Sequence, residues 1–314
     1  KHAAKRRRRA TPPSDGPQMS DSMSANDPDL LGGLALAEYA PGEAAVLTDH
    51  ERWPTLDAAG SGRLARWRHH PDAPQWTHAT GDRLTADQAD RVRHPLSTDR
   101  WIVEHLAAAR RTLRYRGMPA DAVLADFPTI SRRDLVDDLA AFVPLDADLS
   151  RMLHGTSSGS TGAALLIPDD VEEVARGFHL LVSLAASAGV SVDATGERMA
   201  VANLVFQRQA FTYVSVISSF AQRAMARLNL HPSAWPAPDS RHRFLAEADP
   251  RMLSGHPTSL AELLDAGLDA VLHPQAIFSG AMALSGPLRA DLERAFACPV
   301  FDVYGLHETR PIAA

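Results

Sequence analysis

Gly155-Thr-Ser-Ser-Gly-Ser-Thr-Gly162 is a run of eight small residues, three glycines and five residues with hydroxyl groups, near the middle of the chain. Glycines allow the backbone to turn with positive φ and to expose its N–H groups, and hydroxyl groups add further donors. Apolar stretches at 151–154 and 163–167 flank the run, which favours a strand on each side over a flexible surface linker. A loop of this composition between two strands predicts a concave cradle for an anion such as a polyphosphate.

Downstream of this loop, short apolar stretches alternate with helical patterns. We predict a helix that begins at Pro168 and ends at Gly189, and further helices at 211–228, at 258–264 and after Ser285. Strands are predicted at 199–206, 251–254, 275–278 and 299–303. Strands separated by helices of this length predict an α/β fold with parallel strand pairs.

Three regions are predicted along the chain. Residues 1–28 are rich in Arg, Ser, Pro, Asp and Met without apolar periodicity, so we expect a disordered basic leader. Residues 29–96 form a loop-rich region in which Trp53, Trp67 and Trp76 are expected to anchor irregular chain to a core. Residues 97–314 form the main domain, which opens with a helix at 97–117 and a second helix capped by Ser131, with Asp134 as the acid of a capping box.

The composition disfavours several classes of protein. The 314 residues include one cysteine, Cys298, which excludes an internal disulfide framework and a multi-cysteine zinc site and fits the reducing cytoplasm. Cys298 itself is expected to be a small buried hydrophobe rather than a nucleophile. No apolar stretch approaches the roughly 20 residues that span a bilayer. The formal net charge is -6 despite an arginine run at 6–9, so we expect neither a nucleic-acid nor a membrane partner.

Two other motifs compete for the loop at 155–162. A Walker phosphate loop needs a Gly-Lys pair, but the only lysines of the chain are Lys1 and Lys5. Gly155-Thr-Ser157-Ser-Gly159 matches the Gly-x-Ser-x-Gly elbow of serine hydrolases, in which a helix follows the serine directly. Here the helix signal comes eleven residues after Ser157, at Pro168, with a strand-like stretch between them. Both alternatives are therefore disfavoured.

A second segment, Phe301-Asp-Val-Tyr-Gly-Leu-His-Glu-Thr309, lies at the end of the last predicted strand. Tyr304 followed by Gly305 can leave an aromatic face open to a flat ring such as a purine, and Glu308 offers a carboxylate for Mg²⁺. A structural tyrosine and a solvated glutamate would explain this segment equally well. For His307, two roles are equally compatible with the sequence: contact with a ligand, or packing at the end of a strand.

Together, in this order and about 150 residues apart, the two segments resemble the adenylate-forming (acyl-CoA synthetase-like) superfamily. Its phosphate loop reads Ser/Thr-Ser-Gly-Ser/Thr-Thr-Gly, and its adenine motif reads Tyr-Gly-x-Thr/Ser-Glu. Three further segments are similar to the phenylacetate–CoA ligase and CapK-like branch: Pro128-Thr-Ile-Ser-Arg-Arg-Asp-Leu135, Gly255-His-Pro-Thr-Ser-Leu260 and Ser279-Gly-Ala281. The resemblance covers roughly residues 97–314 and implies the large N-terminal domain of such an enzyme, with mixed or parallel sheets flanked by helices.

The resemblance implies a role for each matching residue. The β- and γ-phosphates of ATP would be held by Thr156, Ser157, Ser158, Gly159, Ser160, Thr161 and Gly162. The adenine and acyl pocket would include Gly280, Ala281, Asp302, Tyr304, Gly305 and His307, and Glu308 would bind Mg²⁺. Phe206, Phe211, Tyr213 and Met282 are candidate pocket walls, although apolar residues in such positions are more often plain core.

The implied reaction activates a small carboxylic acid as an acyl-adenylate. The acyl group then passes to a thiol, either coenzyme A or the pantetheine of a carrier protein, or to an amine. The sequence leaves the acid, the acceptor and the oligomeric state open.

The chain departs from the family pattern at several positions. Ala163 stands in place of the loop lysine, Met282 in place of a glutamate and His307 in place of a threonine. The family's adenylation lysine and its small C-terminal domain would lie beyond the last residue of this chain, six residues after Glu308, so no catalytic residue is assigned. We therefore expect a truncated ligase that is inactive alone. A non-catalytic nucleotide-binding remnant and an acyl-protein synthetase-like transferase are the alternatives.

Overall fold

The computed structural model describes residues 47–94, 100–156, 166–192, 195–306 and 309–314. Within these ranges the helices are α1 (Asp49–Arg52), α2 (Ala58–Arg68), α3 (Ala86–Arg91), α4 (Trp101–Ala109), α5 (Arg132–Asp137), α6 (Val171–Ser187), α7 (Ser240–Ala248), α8 (Pro257–Asp265) and α9 (Gly286–Phe296). The strands are β1 (Leu153–Thr156), β2 (Leu166–Asp169), β3 (Val201–Val205), β4 (Tyr213–Ile217), β5 (Arg223–Asn229), β6 (Met252–Gly255), β7 (Ala276–Ser279), β8 (Val300–Asp302), β9 (Tyr304–Leu306) and β10 (Arg310–Ala313). Short 3₁₀ helices lie at Leu124–Asp126, Leu139–Phe142, Leu149–Arg151, Pro232–Ala234 and Leu268–Ala270.

At the centre lies a six-stranded sheet in the order β4-β5-β3-β6-β7-β8. Neighbouring strands run parallel except β4 and β5, which form an antiparallel hairpin. After β3 the chain adds β4 and β5 on one side, and it then adds β6 on the other side, so the strand order reverses between β3 and β6. The predicted α/β class with a mostly parallel sheet flanked by helices is confirmed.

One face of this sheet is covered by three helices. Leu204 and Ile277 belong to a buried cluster with Phe244 of α7, Leu260 of α8 and Leu292 of α9. Burying a side chain of this size contributes about 1.5–3 kcal/mol. The three helices and this face of the sheet therefore share one apolar core.

On the opposite face, the described residues pack against α6 mainly near the amino ends of β3 and β6. Val201 and Met252, which open β3 and β6, are buried in one cluster with Ala185 of α6. Toward the carboxyl ends of the strands, the same face carries Asn203 and Arg227, which are partly exposed. This difference leaves a polar area on an otherwise apolar sheet.

Helix starts follow the predicted capping residues. Ser131 and Asp134 form the predicted capping box of α5, and Ser285 caps α9. The helix predicted from Pro168 begins three residues later, because Pro168 pairs within the β1–β2 hairpin and Asp170 is the residue that caps α6. Such a cap stabilises a helix by about 1 kcal/mol.

The helix predicted at 211–228 is wrong, because this segment is the hairpin of β4 and β5. Its turn places Ala221 and Gln222 at φ 50° and 50°, in the left-handed region where hairpins usually have Gly or Asn. The surrounding chain supports this turn. Arg63 donates to the carbonyl oxygens of both turn residues, at 3.2 and 3.2 Å, and Gln222 donates from Nε2 to the Thr55 carbonyl at 2.6 Å. Tertiary contacts therefore override the local helical pattern.

The helix predicted at 97–117 ends at Ala109. Beyond this residue the backbone bonds a neighbouring loop instead of the preceding turn. The Arg114 N–H donates to the Ala141 carbonyl at 2.9 Å, and the Leu145 N–H donates to the Arg111 carbonyl at 2.9 Å. These long-range hydrogen bonds use the groups that a longer helix would need.

For residues 29–96 the sequence predicts irregular chain, whereas the described part of this region contains α2, a helix of 11 residues. α2 buries Leu64 and Trp67 against the core. Trp53 is also fully buried, and its Nε1 donates to Ser215 Oγ of β4 at 3.2 Å.

The predicted leader at 1–28 lies outside the described residues. Across the described ranges, no helix combines the length and the apolarity needed to cross a membrane.

Candidate functional site

The carboxyl ends of the parallel strands meet at one edge of the sheet, which we call the carboxyl edge. The strands end there at Val205, Asn229, Gly255, Ser279 and Asp302. Because the strand order reverses between β3 and β6, the connections that leave these two strands diverge, and ligands of open α/β sheets bind at such a crevice. Of the predicted pocket residues, Gly280, Ala281, Asp302 and Tyr304 lie at or directly beyond this edge.

Gly280 leaves open space at the end of β7. Its N–H donates to the Gly255 carbonyl at 3.0 Å, and the Val303 N–H donates to the Ser279 carbonyl at 2.7 Å, so the backbone pairing continues just past the strands. Among the described residues, a Cβ added at Gly280 would meet only the Val303 carbonyl oxygen, at 3.5 Å. The fold therefore tolerates a side chain here, and a large one would fill the space in front of the carboxyl edge.

The loop after β7 is tied to β8. Ala281 turns the chain with a left-handed φ of 65°, and Asp302 Oδ2 accepts a hydrogen bond from the Leu284 N–H at 3.4 Å. Met282, at the position where the resemblance expects a glutamate, is 56% exposed. The Asp302 carboxylate thus positions the loop that carries Gly280 and Ala281.

Tyr304 and Gly305 lie on β9, which pairs with β10 in an antiparallel hairpin. Tyr304 is 60% exposed, so its ring is open to a flat ligand. A Cβ added at Gly305 would lie 2.7 Å from the Arg310 carbonyl oxygen. Only glycine permits the two strands of this hairpin to approach so closely.

An ion pair joins this hairpin to the hairpin of β1 and β2. Arg310, the first residue of β10, contacts the carboxylate of Asp169, the last residue of β2. The Asp169 side chain is only 11% exposed. The β1–β2 hairpin flanks the loop at 157–165, and residues 307–309 lie between β9 and β10 in the chain. The pair therefore brings together the elements that bear the two segments of the resemblance.

Several predicted site residues lie outside the described residues: Ser157, Ser158, Gly159, Ser160, Thr161, Gly162, His307 and Glu308. Of Thr156 the structure gives the backbone, in β1. In the part of the chain that is described, no group of three or more His, Cys, Asp or Glu residues could hold a metal ion. A Mg²⁺ ion that bridges nucleotide phosphates needs only one or two protein carboxylates. The predicted Mg²⁺ site consequently depends on Glu308 and stays a prediction.

A row of polar side chains crosses the sheet next to the carboxyl edge. Strand pairing places Tyr213, Arg227, Asn203 and Ser254 side by side on one face. Tyr213 is a candidate pocket wall from the sequence. Arg227 escapes sequence reasoning because the segment 211–228 has a helical pattern, and Asn203 and Ser254 escape it because the sequence does not give the strand register. The sequence feature that could have indicated this site is Arg227, a charged residue in an otherwise mostly apolar stretch.

Two titratable groups with strongly shifted pKa values serve the fold rather than the site. Burial raises the pKa of Asp82 to about 6, although its carboxylate accepts hydrogen bonds from the Ser218 N–H and Oγ at 2.8 and 3.0 Å. Ser218 follows the antiparallel strand β4, so this contact lies at the edge opposite the carboxyl edge. Burial also raises the pKa of Cys298 to about 12, as expected for an unreactive buried thiol.

An open cavity of about 590 Å³ lies beyond the ends of β3 and β5 and is lined by Arg208, Gln209, His231 and Ser233. Asn229, the last residue of β5, lies two residues before His231. Its side chain accepts from the N–H groups of Gln207 and His231 and donates to the Gln207 carbonyl. The loop after β3 is thus fixed to the end of β5.

The sequence matches no protein-family model and no curated protein. The fold is similar to 2-hydroxyisobutyryl-CoA ligase in complex with 2-HIB-AMP and CoA, with 16% identity, a TM-score of 0.42 and coverage of 72% of this chain and 54% of that chain. It is also similar to VinN in complex with L-aspartate (16% identity, TM-score 0.35, 58% and 44% coverage). The N-terminal subdomain of Klebsiella oxytoca NpsA in complex with 3-hydroxyanthranilyl-AMSN is a third similar structure. It has 18% identity and a TM-score of 0.34, and the match covers 69% of this chain and 55% of that chain. The chain spans about half the length of these proteins.

Proposed function

We propose that the chain is the large N-terminal part of an ATP-dependent ligase that activates a carboxylic acid as an acyl-adenylate. The observation that carries this proposal is the ion pair between Asp169 and Arg310. It joins the hairpins next to the segments 155–162 and 301–309, which are far apart in the sequence. A phosphate cradle and an adenine-binding segment must lie next to each other to bind one nucleotide, and the contact between the two flanking hairpins supports this arrangement.

In the proposed reaction, a carboxylate oxygen of the acid attacks the α-phosphorus of ATP and pyrophosphate leaves. The N–H groups and hydroxyls of the loop at 155–162 would bind the phosphate oxygens, and Tyr304 would contact adenine. The open space at Gly280 would receive the acyl-adenylate. Such chemistry depends on positioning and on neutralising charge. Mg²⁺ held by Glu308 would add charge neutralisation when bound.

The second half-reaction would form a thioester as AMP leaves the acyl group. Coenzyme A or a carrier pantetheine is the acceptor that we favour, with an amine or, as in acyl-protein synthetases, a protein cysteine as alternatives. The phenylacetate–CoA ligase and CapK-like branch is proposed on the segments 128–135, 255–260 and 279–281. A cytoplasmic location is proposed on the single cysteine.

The second candidate function is nucleotide binding without catalysis. It is favoured by Ala163, Met282 and His307, which stand in place of three functional residues of the family pattern. A non-hydrolysable acyl-sulfamoyl adenosine separates the two functions. A ligase domain should bind this mimic of the acyl-adenylate at least roughly tenfold more tightly than AMP, because only the mimic fills an acyl pocket. A nucleotide-binding remnant should bind both equally.

Calorimetric titration of the 314-residue chain with ATP tests the proposal. We expect measurable binding by the parent chain and none by Gly280→Leu, since leucine would occupy the space in front of the carboxyl edge. Gly62→Leu is the matched control, because Gly62 is an exposed helical glycine with open space around its Cβ position among the described residues. If the parent and Gly280→Leu bind ATP equally, or if neither binds it, the proposal is wrong.

A further inference from the structure

Strand pairing alone brings together the polar row of Tyr213, Arg227, Asn203 and Ser254 on one face of the sheet. Asn203 of β3 pairs with Arg227 of β5 on one side and with Ser254 of β6 on the other. Arg227 pairs in turn with Tyr213 of β4. Paired residues of neighbouring strands point to the same face. Four polar side chains thus lie together, each only partly exposed.

Arg227 lacks a compensating anion within the described ranges. Its Nε is buried and has no hydrogen-bond partner there, and no described carboxylate lies within ion-pair distance of the guanidinium. Removing a guanidinium from water is costly unless an anion or several acceptors replace the water. The unused Nε–H donor of this partly buried cation suits an anionic group beside it.

His256 presents a second unused donor to the same region. Its backbone is extended, with φ -94° and ψ 160°, so its side chain points to the same side as that of Ser254 two residues earlier. Nδ1 accepts from the Ser259 N–H at 3.4 Å and contacts Thr258 Oγ1 at 2.6 Å. These contacts assign the ring proton to Nε2, which is buried and unpartnered among the described residues.

The charge state of His256 agrees with this assignment. Burial and, secondarily, the charge of Arg227 lower the pKa of His256 below its usual range. The imidazole is therefore neutral near pH 7, and Nε2–H is available as a donor to an oxygen acceptor. In the strand register, Ser254, two residues before His256, is separated from Arg227 by the single strand β3.

We propose that Arg227 and His256 bind a second carboxylate on the organic acid that the ligase activates. The guanidinium would pair with this carboxylate, and His256 Nε2–H would donate to one of its oxygens. This inference rests on the proposed function, and it narrows the substrate class from carboxylic acids in general to acids with an additional anionic group.

The position of the pair points to the acid rather than to the nucleotide. The proposed nucleotide contacts lie at the ends of β7 and β8, whereas Arg227 lies on β5, three strand spacings or about 14 Å from β7. His256 follows β6, directly between them. Because β6 is the neighbour of β7, the second carboxylate of a diacid that is activated at β7 would meet His256 first, and the long Arg227 side chain would have to extend across β3 to pair with it.

NMR titrations of the 314-residue chain can test this with succinate, glutarate and adipate against butyrate, pentanoate and hexanoate, which have the same numbers of carbons. We expect at least one dicarboxylate to bind roughly tenfold more tightly than its matched monocarboxylate, as one charge-assisted contact would provide. Arg227→Gln and His256→Asn should each remove most of this preference. Asparagine is a good helix cap, so His256→Asn keeps an acceptor for the Ser259 N–H while it removes the Nε2 donor.

Arg208→Gln is the matched control, since Arg208 is an exposed arginine at the same edge that lines the neighbouring cavity. It should leave the preference for dicarboxylates unchanged. The proposal is overturned if no dicarboxylate is preferred, if the preference survives His256→Asn in a folded chain, or if Arg208→Gln removes it. If Arg227→Gln does not fold, the dicarboxylate preference of His256→Asn still separates these outcomes.

ATP titrations of the same variants separate this inference from the proposed function. If Arg227→Gln and the parent bind ATP equally while no dicarboxylate is preferred, only the second-carboxylate inference fails. If the parent binds no ATP, the proposed ligase fails, and the second carboxylate then loses the function on which it rests.

Discussion

At the scale of single residues, Ala281 is a strained position within the candidate site. Its φ of 65° lies in the left-handed region, which costs a residue with a Cβ about 1 kcal/mol relative to glycine. Ala281→Gly should therefore raise the free energy of unfolding by roughly 0.5–1 kcal/mol, measured by urea denaturation. Ala290→Gly in the exposed face of α9 is the control and should lower it by about 1 kcal/mol. Equal destabilisation by both variants would show that Ala281 is not strained.

Asp82 should make the unfolding free energy depend on pH in an unusual direction. Its pKa is raised from 3.8 to about 6 in the folded protein, so between these values the folded state binds a proton that the unfolded state does not. Stability should therefore fall as pH rises from about 4 to about 6, by up to roughly 3 kcal/mol. Asp82→Asn should abolish this part of the slope in urea titrations at several pH values. An unchanged slope in the variant would contradict the assignment.

At the scale of elements, the ion pair of Asp169 and Arg310 should couple two hairpins. Its removal should cost about 1 kcal/mol, because Arg310 is 41% exposed and solvent weakens the attraction. In Arg310→Met, hydrogen exchange in β2 and β9 should be roughly fivefold faster, while exchange in β3 stays unchanged. Asp169→Asn should give the same result, and the double variant should add little.

An exposed pair on α9, Arg294 with Asp291, provides the control, with side chains 73% and 51% exposed. Arg294→Met should leave exchange in both hairpins at the parent rate. Additive effects of Arg310→Met and Asp169→Asn would show that the two hairpins are not coupled through this pair, and the observation that carries the proposed function would be lost.

An element can be predicted from the sequence when the residues that stabilise it are close to it in the chain. β3, β6 and β7 are short runs of mostly apolar, buried residues, and Ser131 caps its own helix, so local sequence is enough for them. The β4–β5 hairpin depends on Arg63 and Thr55, more than 150 residues away, to support a turn without Gly or Asn. The misprediction of this hairpin also hid Arg227, and with it the polar row.

The candidate site was predictable to a different degree at each position. Gly280, Ala281 and Tyr304 come from a resemblance of short motifs, and the parallel sheet then brings them to one edge. His256 was part of a quoted segment, but its unpaired Nε2 becomes visible only with the Nδ1 contacts in place. A sequence pattern can thus indicate which residues meet a ligand, whereas unpaired donors require the structure.

At the scale of the whole molecule, the residues that stabilise the fold are separate from those of the candidate site. This separation predicts how the 314-residue chain behaves by itself. The buried clusters lie between the sheet and its helices, and the candidate site lies beyond the carboxyl edge. If the proposed function is correct, the described fold should be stable and should bind ATP without a further domain. The chain contains no lysine after Lys5, however, and the family resemblance assigns adenylation to a lysine of another domain.

We accordingly expect the 314-residue chain to bind ATP while it turns ATP over negligibly. The measurement is carboxylate-dependent exchange of labelled pyrophosphate into ATP, with binding followed by calorimetry in the same buffer. Exchange should stay at the background of a sample without protein, because the chain has no lysine after Lys5 to stabilise the charge that develops on the α-phosphate. Exchange well above that background would mean that an arginine or another group of this chain replaces the lysine, and Arg227→Gln and Arg310→Met would then be the first variants to assay.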